Sequence, residues 1–126
     1  MKAIIVVGMG GAMGSIARYL LSSWVNRMAQ DWRFPVGTFV VNVLGCAAIG
    51  FLAGLATREN YFPLEVRLFL FTGVIGGFTT FSAFELETLN LIRNGEFLVA
   101  GGNVLFSIAV GLLALYAGFA LSAART

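Results

Sequence analysis

Residues 72–87 read TGVIGGFTTFSAFELE, from Thr72 to Glu87, and the fold turns on how this stretch is placed. It continues an apolar run, Leu68 to Phe71, that should be helical. Gly76 and Gly77 then interrupt it, and glycine is the weakest helix former after proline. Two β-branched hydroxyl residues follow, Thr79 and Thr80. Phe78, Phe81 and Phe84 recur at a spacing of three around Ser82, and Glu85 and Glu87 close the stretch. In water such a helix would be odd. At membrane depth, non-helical backbone survives only where protein buries it or where it lines a polar pathway. The stretch therefore predicts a third transmembrane helix, broken near Gly76–Thr80 and carrying a functional site.

Composition supports a membrane setting. Apolar residues make up 59% of the 126, whereas charged residues make up 11%; a soluble domain carries about a quarter. The net charge of +2 comes from basic residues scattered singly, which argues against a nucleic-acid partner. Cys46 is the single cysteine, so no internal disulfide framework is possible. Histidine is absent, which removes the commonest general base and metal ligand. The chain reads as a non-enzyme.

From this centre the chain divides into four all-α spans of one domain, helices over about 3–25, 34–57, 66–92 and 97–124. A spanning helix needs roughly 20 apolar residues, so the four consume nearly the whole length. The first is broken only by Arg18, and further apolar segments follow it, unlike a secretory signal. Trp24 and Trp32 flank the first loop at interface positions. Pro63 and Glu65 mark the start of the third helix. Residues 93–96, Arg-Asn-Gly-Glu, form a tight turn.

Ile4 to Gly14, IIVVGMGGAMG, imitates a strand followed by a nucleotide-binding glycine loop. Its glycines, Gly8, Gly10, Gly11 and Gly14, miss the required spacing, and a long uncharged span follows where a short strand should be. Gly10 and Gly14 instead form a small-residue face for close helix packing. Arg18 is costly within a membrane and has either a structural or an ion-related role, unless it reaches an interface. Asn42 sits three residues before Gly45, projecting from a small-residue stripe. It suits an interhelical hydrogen bond or a donor lining a pathway. Asn103 and Ser107, four apart, make a short polar stripe in the last helix. With the hydroxyls of the third helix they suggest a donor-rich path without a row of fixed cations.

GGAMGSIARYLL, GTFVVNVLG and above all TGVIGGFTTFSAFELE resemble the Fluc-type (CrcB) fluoride channels across all four helices. That resemblance implies a channel exporting cytoplasmic fluoride from a prokaryotic plasma (inner) membrane. It implies an antiparallel, dual-topology homodimer with two pores and a central structural sodium ion. Gly76 and Thr79 would hold sodium through backbone carbonyls. Asn42, Thr80, Phe81, Ser82, Phe84, Glu87 and Ser107 would belong to the fluoride path, and Arg18 matches the first-helix arginine. Asn103 stands where the family often has tyrosine, and Ala83 where threonine is frequent.

Elementary chemistry is compatible with such a path. Fluoride is small and tightly hydrated, so a pore must replace its water with donors or electropositive surfaces. A phenylalanine ring is positive at its edge, and Asn42 carries N–H donors. With four spans, Lys2, Arg58, Arg67 and Arg125 lie on one side, and Arg27, Arg33 and Arg93 on the other. So even a balance gives little instruction on orientation, and insertion in both directions follows. The alternative, a small four-helix proton-coupled multidrug exporter, calls for an intramembrane carboxylate early in the chain. The first acid here is Asp31, in a loop.

Overall fold

Four stretches are long and apolar enough to cross a membrane: Lys2–Met28, Val36–Leu55, Leu64–Arg93 and Phe97–Ala123. They are seen in a computed structural model, which describes residues 1–125. The first two are single helices, α1 (Lys2–Met28) and α2 (Val36–Leu55). The third is assembled from α3 (Leu64–Arg67), a π-helical segment π1 (Leu68–Ile75), α4 (Gly76–Phe78) and α5 (Phe81–Arg93). The fourth is α6 (Phe97–Ala123). The protein is an all-helical, multi-pass membrane protein.

Local chemistry sets the ends. Pro35 and Pro63 immediately precede α2 and the third span, where a missing N–H leaves no helical bond unmade. The third span thus starts at Leu64, slightly before the expected onset. Helix α2 stops at Leu55, where the Thr57 hydroxyl bonds the Gly54 carbonyl at 2.7 Å. Gly95, at φ 76°, supplies the left-handed residue that turns α5 into α6. The expected ordinary helix over Leu68–Phe71 is instead the opening of π1, a wide-turn geometry that sequence periodicity does not announce.

Contacts between the ends fix an up-down arrangement. Lys2 pairs with Glu65 at 3.2 Å, and Arg58 Nη2 donates to the Arg125 carbonyl at 3.3 Å, on the side bearing both chain ends. On the other side Arg33 meets Glu96 at 2.6 Å. Such exposed, solvent-screened pairs contribute little, so they report the topology more than they hold it.

The burial pattern is inverted relative to a water-soluble bundle. Leu98 is 93% exposed, and large apolar side chains cover the outside of all four spans, whereas Asn103 and Ser122 are fully buried. In lipid, apolar burial does not drive helices together; close backbone approach and interhelical hydrogen bonds do. Glycine provides the approach. A Cβ added at Gly10 would lie 2.6 Å from the Phe69 carbonyl oxygen and 2.9 Å from Gly73 Cα, so α1 crosses π1 backbone to backbone. One turn on, a Cβ at Gly14 would collide with the Val74 carbonyl and sit 2.8 Å from the Phe78 nitrogen. The Gly10–Gly14 face thus does what its spacing predicts, and Ile4–Gly14 is continuous helix in place of a strand and glycine loop.

This contact yields a test. Gly14→Val drives two methyl groups into main-chain atoms that cannot yield, so the expected outcome is loss of the folded species on size exclusion in detergent. Gly8→Ala, which meets nothing within 4 Å, should fold normally. A normally folded Gly14→Val protein would show that the crossing is not required.

Candidate functional site

Between α4 and α5 the main chain leaves helical geometry for two residues. Thr79 has φ −82° and ψ 156°, and Thr80 has φ −148° and ψ 116°. An extended residue inside a bilayer exposes polar main-chain groups that water cannot reach, at a cost of several kcal/mol each. Asn42 answers both groups of Thr80. Its Nδ2 donates to the Thr80 carbonyl at 3.0 Å, and its Oδ1 accepts from the Thr80 N–H at 2.8 Å. The amide side chain pairs with the backbone as a neighbouring strand would. Helix α5 then restarts with Thr80 as its N-cap, Oγ1 accepting from the Ala83 N–H at 3.2 Å.

The same two bonds have a consequence one turn earlier. In an α-helix the Thr80 N–H would bond the Gly76 carbonyl, and the Ala83 N–H would bond the Thr79 carbonyl. Both donors point elsewhere, to Asn42 Oδ1 and to Thr80 Oγ1. The carbonyls of Gly76 and Thr79 are thereby released from their helical partners. Thr79 directs its own N–H and hydroxyl to the Ile75 carbonyl, each at 3.0 Å. Two main-chain oxygens close in sequence with no helical donor form a set suited to a hard cation.

Two cavities flank the Asn42–Thr80 pair, and Thr80 lines both. One, of about 310 Å³, is the more polar of the two and includes Arg18, Thr38, Ala83 and Glu87. The other, of about 260 Å³, is mostly apolar and includes Asn42, Cys46, Ile75, Thr79 and Phe81. In the polar cavity the Thr38 hydroxyl donates to Glu87 Oε1 at 2.6 Å. Glu87 Oε2 is buried with no hydrogen-bond partner among the described residues. Arg18, half-buried in the first helix, forms no ion pair among those residues. It borders the polar cavity.

The predicted site residues therefore fall into three groups. Asn42, Thr80, Phe81, Glu87 and Arg18 come together around the two cavities. Phe84 adjoins them through Phe81, ring centroids 5.8 Å apart and tilted by 47°, but is itself buried where Phe81 is 75% exposed. Ser82 sits at the surface of the same turn, its hydroxyl 3.4 Å from that of Thr80. Ser107 lies apart, lining neither cavity, and donates to Asn103 Oδ1 at 3.3 Å. Sequence reading missed Thr38, whose hydroxyl near the start of an apolar helix looks like an ordinary backbone bonder. It also missed Thr88, which accepts from Asn103 Nδ2 at 2.9 Å. Position four beyond Phe84 was the available signal for Thr88.

Comparison with known proteins gives one consistent answer. The family model described as CrcB-like protein, Camphor Resistance (CrcB), matches residues 5–119. The chain is 51% identical over 121 residues to a fluoride-specific ion channel FluC of Methylobacillus flagellatus, covering 96% of this chain and 94% of that protein. It is 45% identical over 120 residues to the protein of that name from Opitutus terrae, covering 94% and 90%. A third, from Nitratidesulfovibrio vulgaris, is 43% identical over 122 residues, covering 94% and 98%.

The Asn42 pairing makes a local prediction. Asn42→Leu leaves both Thr80 main-chain groups without partners, and an unmet buried group costs about 1–3 kcal/mol. The expected result is a lower melting temperature in detergent and faster hydrogen exchange at the Thr80 amide. Exchange at the parent rate would show that Asn42 does not protect that amide.

Proposed function

The chain belongs to the CrcB family, and on that footing we propose that it is a fluoride-selective channel that lets cytoplasmic fluoride leave the cell. The observation that carries this reading is the Asn42–Thr80 pair standing between a polar and an apolar cavity. An anion with a tight water shell needs donors on entry and an electropositive, water-poor surface further in. The polar cavity offers the Arg18 guanidinium and the Thr80 hydroxyl, the Thr38 proton being given to Glu87. The apolar cavity offers the edge of Phe81. Asn42 links them: an amide nitrogen has two hydrogens, one serves the Thr80 carbonyl, and the other is free for the ion. In its ionised form Glu87 Oε2 only accepts, so it acts through a water, holding one hydration proton while that water's other hydrogen faces fluoride.

The oligomeric arrangement belongs to the same proposal. One chain offers two released carbonyls, Gly76 and Thr79, which is half of a cation cage. A second, antiparallel copy completes it around a structural sodium ion, which supplies charge compensation and holds the extended segment in place. Support comes from the exposed position of Gly76 and of the Phe81 ring, and from the nearly even basic charge on the two sides. Phe84 and Ser82, on the turn that follows Thr80, extend the path from the central pair. The bacterial sources of the similar channels support a prokaryotic plasma membrane as the site of action.

Two experiments test this reading. Purified protein in liposomes should release fluoride and retain chloride. Phe81→Ile removes the ring quadrupole at a position 75% exposed in the single chain, so it should fold while fluoride efflux falls strongly. Phe84→Ile should also lose efflux, with an added packing loss of roughly 1–3 kcal/mol because that ring is buried. Parent-level efflux in both variants would place the pore elsewhere. For assembly, with Cys46 replaced by alanine, a cysteine introduced at Gly95 should react with impermeant reagent from both faces of the membrane. Reaction from one face alone would refute dual topology.

A further inference from the structure

A buried hydrogen-bond chain crosses from α6 to α5 through residues that line neither cavity. Ser107 Oγ donates to Asn103 Oδ1 at 3.3 Å, Asn103 Nδ2 donates to Thr88 Oγ1 at 2.9 Å, and Thr88 Oγ1 donates to the Phe84 carbonyl at 2.8 Å. Asn103 is 1% exposed and Thr88 9%. The direction of the chain is fixed from its far end. A carbonyl only accepts, so the Thr88 hydroxyl gives its proton to Phe84 and must itself receive one. Among the side chains in the chain, only the Asn103 amide nitrogen can supply it, which turns the amide oxygen toward Ser107.

Helix α5 needs such a fixture. It restarts after two extended residues, so it does not inherit its rotation or height from α4. Asn42 holds its N-cap, Thr80, and on its second turn Glu87 and Thr88, neighbours in sequence, are held by α2 and α6 respectively. Thr88 lies one turn beyond Phe84 on the same face, and the chain ends on the Phe84 carbonyl. We propose that Thr88 and Asn103 are positioning residues that set the rotation and height of α5 and so place the Phe84 ring in the fluoride path. This rests on the channel reading given above, and it assigns Asn103, where the family often has tyrosine, a role of its own.

The test is fluoride efflux from liposomes, normalised to folded protein by size exclusion, with melting temperature measured alongside. Thr88→Val keeps the shape and removes the hydroxyl; Asn103→Asp keeps the shape and removes the donor. Each leaves a buried group unmet and should lower efflux roughly tenfold or more. Thr88→Ser should restore it. The double variant Thr88→Val with Asn103→Asp should be no worse than the worse single one, because the two residues act through one bond. Parent-level efflux per folded protein in Thr88→Val and Asn103→Asp, with only the melting temperature lowered, would overturn the role and leave a packing contact. If Thr88→Val does not fold, Asn103→Asp and Thr88→Ser decide the matter by the same criteria. Failure of the channel reading shows itself differently, in a parent protein that passes no fluoride, and it takes the positioning role with it.

Discussion

The pairing of the Asn42 side-chain amide with the Thr80 main chain is the constraint on which the rest depends. A helix inside lipid satisfies its own backbone, and two extended residues forfeit that closure. Without an outside partner the Thr79–Thr80 segment would fold back into continuous helix, returning the Thr80 N–H to the Gly76 carbonyl. Asn42 matches the backbone's own donor and acceptor and so removes the advantage of doing so. Three features then appear together: released carbonyls at Gly76 and Thr79, a fresh N-cap at Thr80, and a polar–apolar boundary with Thr80 on both sides.

Such a pairing needs helices that come close and stay put. Glycine contributes closeness twice, where Gly10 and Gly14 let α1 touch π1 and α4, and where Gly50 and Gly118 let α2 and α6 meet main chain to main chain. Neither contact reaches α5. That helix is steadied largely by buried polar bonds, from Thr38 to Glu87 and from Asn103 to Thr88. The division has a physical basis. Close glycine contact fixes a wall, whereas a few directional bonds fix a side chain's angle while leaving room beside it. The cavities lie where the second strategy replaces the first.

Much of this architecture was legible in the sequence. Uncharged runs marked the four spans, and glycine followed by β-branched threonine marked the place where the third span departs from helix. The small-residue spacing of Gly10 and Gly14 marked the packing face. Other features carried no such signal. The π-helical segment over Leu68–Ile75 is written mostly in ordinary apolar residues, and its close packing on Gly10 at Gly73 is tertiary. Asn42 looked like a donor for a pathway, yet most of its capacity goes to Thr80, because the need for an acceptor arises only once Thr80 is extended. Asn103 and Ser107 read as one polar stripe facing one place. In the structure the stripe points its proton inward, to Thr88 on another helix, and lies clear of both cavities. Spacing shows which residues share a face; it does not show what the face meets.

The polar inventory also explains why so few charges suffice. A fixed cation deep in a low-dielectric site would bind fluoride too firmly to let it go, since charge interactions strengthen several-fold away from water. Arg18 sits in the polar cavity, where hydroxyls and a carboxylate share the space, and no cation lines the cavity beyond the Asn42–Thr80 pair. There the available partners are a single amide hydrogen and a ring edge, each individually weak. On the proposed channel reading, an ion drawn in by charge and passed to weaker contacts meets a shallow sequence of sites. On the proposed reading the hand-over falls at Thr80, the residue that lines both cavities and whose backbone Asn42 satisfies.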